Sequence, residues 1–289
     1  MNPIERLVTR KCRANCANSL NPMTTVLGID AAWTTTEPSG VALVQQRDRR
    51  WRYVVTAPSY ESFIEQAEGG EAHWGRSSVG SSPDLAKLLR AAEQHTGEHP
   101  TLITLDMPVA TVPIVRRRTA DREVSRSFGA KWCSAHSPGP IRPGPLGANL
   151  SRKLSEAGYP ISTATTPIGT PRRLVEVYPH PALLSLLGRD RRVPYKVGKA
   201  LKYWKGASID ERIERLLHEF AAILAGLAAH IDGIAIPLPD ASEVHSLAAL
   251  KPFEDAIDAL VCCWVGCEYL AGRCYPLGDE TAAIWCPVT

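Results

Sequence analysis

Short apolar runs separated by turn residues organise the first hundred positions. Thr24–Asp30 (TTVLGID) is β-branched and apolar, long enough for a buried strand and too short for a helix. Ser39–Val44 (SGVALV) follows a Thr-rich, Pro-containing turn, and Trp51–Thr56 (WRYVVT) follows the polar QRDRR. Three strands with short connections predict an antiparallel meander. Asp84–Gln94 (DLAKLLRAAEQ) predicts a helix, with Pro83 and Asp84 as its start signals. Thr101–Asp106 (TLITLD) is a second apolar strand ending in aspartate, and the strand–helix–strand passage predicts a right-handed crossover to a parallel neighbour.

Periodicity fades after Pro108. Residues 109–170 carry Arg116–Arg118, a Pro/Gly-rich stretch (SPGPIRPGPLG) and a Ser/Thr-rich stretch, and read as an insertion of the kind that is functional or mobile. Arg173–Tyr178 (RLVEVY) restores strand character, with a short helix near Ala182–Leu187 behind it. A long amphipathic helix is expected over Ile209–His230, and a helix apolar almost all round, hence central, over Pro252–Leu270. Ala283–Cys286 closes the pattern as a strand. The expected fold class is α/β: a mixed sheet flanked by helices, in a single domain over residues 24–289 with one large insertion. Residues 1–23 are polar and aperiodic and read as a disordered extension.

Composition narrows the picture modestly. A 44% hydrophobic, 22% charged chain of 289 residues suits a globular protein with a sizeable core. The net charge of +3 is too small to argue for nucleic acid, so any such argument must rest on local clustering. The eight cysteines are dilute, and Cys262, Cys263 and Cys267 fall within the central helix; this favours a reducing, cytoplasmic setting. Cys12-x-x-x-Cys16 and Cys133-x-x-His136 resemble zinc half-sites, but each lacks a second pair. No apolar run suggests a secretory signal or a membrane partner.

The candidate chemistry lies in carboxylates. Asp30 and Asp106 end two apolar runs, and a charged side chain is seldom buried without a partner. On parallel neighbouring strands their ends would lie roughly 5 Å apart, where two carboxylates repel unless a cation lies between them. The alternative is that each caps a helix or pairs with an arginine. Asp255 and Asp258, three apart on one helix, share a face. Asp255 could be a first-turn acid favoured by the helix dipole, whereas Asp258 shares its face with Val261, Cys262 and Val265 and needs a partner. Carboxylates from two strands and a helix tip suit Mg²⁺ or Mn²⁺, and a metal pair can drive phosphodiester hydrolysis.

A basic segment offers the clustering that the net charge lacks. Arg189–Lys205 (RDRRVPYKVGKALKYWK) interleaves seven basic residues, among them Arg191, Arg192, Lys196 and Lys199, with Tyr195, Tyr203 and Trp204. Phosphate-tracking cations with aromatics for stacking are what single-stranded nucleic acid requires. The competing reading is a solvated connector whose aromatics pack on the core. Arg116–Arg118 would supply a second patch.

In order, GIDAAW (Gly28–Trp33), LDMP (Leu105–Pro108), EVYPHP (Glu176–Pro181), Lys196, KPFEDAIDAL (Lys251–Leu260) and Glu280 followed by IWCP resemble domain-of-unknown-function family 429. The resemblance covers most of residues 24–289 and implies a ribonuclease-H-like, five-stranded sheet of order 3-2-1-4-5, with the insertion after the fourth strand. It also implies a metal-dependent nuclease with Asp30, Asp106, Asp255 and Asp258 as metal ligands and catalytic residues. The same resemblance gives Glu176 a catalytic role; a structural ion pair with Arg172 or Lys196 is the alternative. Lys196, Arg191, Arg192 and Lys199 would bind DNA or RNA, and His180 could act as acid or base. The alternatives are a non-catalytic binding protein and an ATP phosphotransferase, the latter disfavoured by the lack of glycine-rich phosphate loops after Asp30.

Overall fold

The computed structural model describes residues 23–74, 80 and 83–288. The expected extension over 1–23 lies, apart from Met23, outside the described residues. The meander forms as β1 (Thr24–Asp30), β2 (Gly40–Arg47) and β3 (Arg50–Ala57), paired antiparallel in sequence. A helix that periodicity did not reveal, α1 (Tyr60–Ala67), follows, and then α2 (Leu85–Thr96), which starts where Asp84 accepts the Lys87 N–H. The crossover delivers β4 (Leu102–Leu105) parallel to β1. The insertion holds α3 (Thr119–Phe128) and α4 (Pro145–Glu156).

The chain then returns as β5 (Leu174–Glu176), α5 (Pro179–Leu187), the single turn α6 (Ala200–Tyr203) and α7 (Ile209–Ala228). A capping box between Ser208 and Glu211 starts α7, which buries Ile213, Leu216, Phe220, Ile223 and Leu227 at helical spacing. The two-residue β6 (Ile231–Asp232), α8 (Lys251–Leu270), β7 (Cys274–Gly278) and β8 (Ala283–Pro287) complete the fold.

The order across the sheet is β6-β3-β2-β1-β4-β5-β8-β7, with β8 parallel to β5 and β7 antiparallel to β8. This corrects the five-stranded, ribonuclease-H-like expectation: the architecture is an eight-stranded mixed sheet. Of the three further strands β8 was expected at Ala283–Cys286, and the other two escaped the sequence pattern for physical reasons. β6 is only two residues long, and β7 is a half-exposed edge strand interrupted by Pro276, which only an edge tolerates.

Strand pleating divides the core in two. Val26, Ala42, Val44 and Leu102 face α8 and α7, while Leu27, Ile29, Val41, Leu43, Ile103 and Leu105 face α1, α2 and α4. The α8 backbone lies unusually close to the sheet because Gly28 and Gly40 present no Cβ. One built at Gly28 would collide with the Ala259 carbonyl oxygen, and one at Gly40 with that of Asp255. Those contacts fix the height at which the first turns of α8 meet the ends of β1 and β4.

Candidate functional site

Parallel pairing brings the carboxyl ends of β1, β4 and β5 side by side. Ile29 faces Leu105, Leu105 faces Glu176, and the Asp106 N–H donates to the Ile29 carbonyl at 2.9 Å. Asp30 and Asp106 therefore stand together at the mouth of the sheet, where ligand crevices form in open α/β sheets. A cavity of about 680 Å³ opens there, lined by Asp30, Asp106, Glu176, His180, Lys196, Lys251, Glu254 and Asp255, with Trp33, His136, Arg142, Arg192 and Lys199 among the other lining residues.

The acids on its floor are held by the protein's own cations. Lys196 is ion-paired to Asp258 and lies 3.3 Å from Glu254. Lys251 is paired to Asp255 and lies 3.0 Å from Glu254. Tyr195 donates its hydroxyl to the other Asp258 oxygen at 2.6 Å, and the Val197 N–H donates to Glu254 at 2.5 Å. Asp255, Lys251, Glu254, Lys196 and Asp258 thus form a continuous chain of alternating charge. Glu176 belongs to a second buried network: Arg118 donates to both its oxygens at 2.6 Å and to Asp121 at 2.7 Å. Its partner is neither Arg172 nor Lys196.

The pKa directions follow from burial opposed by these cations. Burial raises Asp106 well above the ordinary carboxylate value, and neighbouring Asp30 adds to the rise while Lys196 opposes it. Asp255 is raised for the same leading reason, against Lys251. Asp258 sits at about 6, with burial ahead of the opposing Lys196. At Glu254 burial is outweighed by Lys196 and Lys251, which hold it below its usual value. Burial also drives His180 well below the ordinary histidine range, reinforced by Arg192, Lys196 and His136. Asp106 is thereby held toward the protonated carboxyl that donates a hydrogen bond, and His180 toward neutral imidazole.

This geometry corrects the two-metal nuclease expected from the sequence. Among the described residues no group of three or more His, Cys, Asp or Glu side chains is placed to hold a metal ion. The positions that cations would fill beside Asp255 and Asp258 belong to the ammonium groups of Lys251 and Lys196. The hydrolase reading that depended on that two-metal site falls with it. Cys133 does not form half of a zinc site either: its thiol is buried against the Lys131 carbonyl. Cys12 and Cys16 lie outside the described residues.

The rim differs from the floor. Trp33 lies 6.3 Å from His136, edge to face, with the Arg142 guanidinium 6.0 Å from the indole centroid. The His136 ring is pushed below its ordinary value by partial burial and then by the charges of Arg192, Lys199 and Arg142, which line the same cavity. Among the described residues none of the three is in an ion pair. Two deeply buried lining atoms, His180 Nδ1 and Asp255 Oδ2, have no hydrogen-bond partner.

The basic segment thus divides. Arg192 and Lys199 reach the rim, and Arg191 lies over the Trp132 ring, whereas Lys196 is drawn into the floor. Tyr195 is fully buried, and Tyr203 and Trp204 meet edge to face at 5.7 Å with Trp204 packed on the core, so the interleaved aromatics are structural. Trp33, Arg142 and Trp132 were not foreseen as site residues, because two of them lie in an insertion without periodicity and Trp33 reads as part of a turn, and His136 was read only as part of a zinc half-site.

Residues 28–283 match the family described as "Protein of unknown function (DUF429)". The chain belongs to this family. No curated protein matches it. Membership of the DUF429 family carries no activity with it, so the function must be argued from the cavity. Among the described residues no helix is long and apolar enough to cross a membrane.

Proposed function

We propose that this DUF429 protein is a binding protein for single-stranded nucleic acid, taking a phosphate and its attached nucleoside into the cavity at the ends of β1 and β4. The observation that carries the reading is that Arg142, Arg192 and Lys199, none of them in an ion pair among the described residues, line one cavity together with Trp33. Cations left without carboxylate partners favour a phosphate, and an indole beside them offers a face for a base. Lys196 and Lys251 offset part of the charge of Asp258, Glu254 and Asp255, which leaves the anion's binding to the rim cations. Asp106, held toward its protonated form, can donate to a ligand oxygen.

Six buried cysteines free of disulfides fit the cytoplasmic setting in which such a ligand is met. The reading is tested by fluorescence anisotropy with 5′-phosphorylated single-stranded DNA and RNA in EDTA. Binding is expected without divalent metal, weakened at least about tenfold in Arg192→Ala and by raised salt. Equal affinity of wild type and Arg192→Ala would overturn the assignment.

A further inference from the structure

Outside the cavity, the side chain that the core does not explain is Trp132. It is 64% exposed, and it caps the 3-10 turn Gly129–Lys131 with φ of 64°, a left-handed conformation unfavourable for a bulky residue. Its N–H donates to the Gly129 carbonyl at 2.9 Å, and the neighbouring Lys131 carbonyl accepts the Arg192 N–H at 2.9 Å. The Arg191 guanidinium lies over the ring, 5.0 Å from its centroid. An aromatic surface is therefore held rigidly in water, one residue away from the arginine that lines the cavity.

We infer that Trp132 and Arg191 form a second stacking subsite, which receives the base next to the nucleotide held in the cavity and makes the ligand an oligonucleotide rather than a mononucleotide. This rests on the nucleic-acid reading of the cavity. Arg191 is exposed and its successor Arg192 is half-buried in the cavity wall, so the stacking surface adjoins the cavity mouth through successive residues. Cation and indole together offer both a partner for the phosphate and a face for any base, which gives affinity without sequence preference. Arg189 does not extend the track, being turned toward Glu219 at 3.8 Å.

The test compares thymidine 5′-monophosphate, 5′-phosphorylated hexathymidylate and the same hexamer abasic beyond its first nucleotide, with hexauridylate as the RNA arm. Wild type should bind the intact hexamer about tenfold or more tightly than the monophosphate or the abasic hexamer, the increment expected of one base on an aromatic ring. Trp132→Leu, at an exposed position, should lose that increment and bind the monophosphate as wild type does. If Trp132→Leu binds the hexamer as tightly as wild type while Arg192→Ala weakens both ligands, the stacking subsite is wrong and the cavity reading stands. If wild type binds none of the ligands, or Arg192→Ala changes nothing, the cavity reading fails and the subsite falls with it.

Discussion

Arg118 and Glu176 meet as a fork-to-fork pair, with both carboxylate oxygens 2.6 Å from guanidinium nitrogens and both side chains almost wholly buried. The pair joins the start of α3 to the end of β5, and Asp121 completes it. Arg118 also donates to the Val109 carbonyl at 2.6 Å, so one side chain ties down both ends of the first part of the insertion. The geometry is bidentate, and lysine does not reproduce it.

Arg118→Met should leave Glu176 and Asp121 buried without their cation. The expected loss is about 3–5 kcal/mol of unfolding free energy, read from urea denaturation at neutral pH. Arg118→Lys should recover only part of it. A loss under about 1 kcal/mol would show that the insertion is anchored elsewhere.

The height of α8 above the sheet is set by missing side chains. Gly40→Ala drives a methyl group into the Asp255 backbone, and Gly28→Ala does the same at Ala259. Each should destabilise by about 1–3 kcal/mol, as overpacking does. Gly40→Ala should also weaken oligonucleotide binding, because it displaces the turn carrying Glu254 and Asp255. Unchanged melting of both variants would contradict the close approach.

Asp258 gives a pH signature with a defined sign. Its pKa of about 6 in the folded protein exceeds the ordinary 3.8, so the folded state binds this proton more tightly than the unfolded state. The resulting stabilisation is fully present below about pH 4 and is lost as the pH rises through about 6. Between pH 4 and 7.5 the stability of wild type minus that of Asp258→Asn should fall by about 2 kcal/mol. Taking the difference removes only the groups that do not feel the Asp258 charge; Asp106 and Lys196 feel it and respond with it. A difference that does not vary with pH would place Asp258 elsewhere on the scale.

Salt provides a count of rim contacts. Three cations neutralising phosphates of a single strand give a slope of log affinity against log salt near −2, at about −0.7 per contact. Lys199→Ala should make the slope about 0.7 shallower, with little effect on folding because its side chain is exposed. A slope near zero for wild type would mean that the rim cations do not face phosphate.

Lys196 shows where reading the sequence stops. It stands among exposed arginines and lysines in a basic segment and looks like another phosphate contact. Its charge is instead committed to Asp258, 62 residues away, and it is only 21% exposed. Tyr195 likewise looks like a stacking ring and turns out to be a buried donor to the same carboxylate. Asp258 was legible as a buried acid in need of a partner, from its apolar helix face, but the sequence could not say whether that partner was a metal ion or a lysine. The insertion concealed Arg142, because the sequence offers no period there to orient a side chain; Arg118 read as part of a basic patch and is instead buried against Glu176 and Asp121, and His136 read as a zinc half-site and instead lines the cavity.

What the sequence determined by itself is the local material of the fold. Short apolar β-branched runs bounded by turns read as buried strands, a long run apolar all round reads as a central helix, and aspartates ending two such strands read as candidates for the sheet's mouth. These follow from backbone periodicity and from the energetics of burying apolar surface, which act within a few residues of sequence. Tertiary structure decided the number of strands, through edge segments too short or too interrupted to carry a pattern, and the pairing of every buried charge. An ion pair is fixed by distance and local dielectric between groups far apart in the chain, and neither quantity exists until the chain has folded.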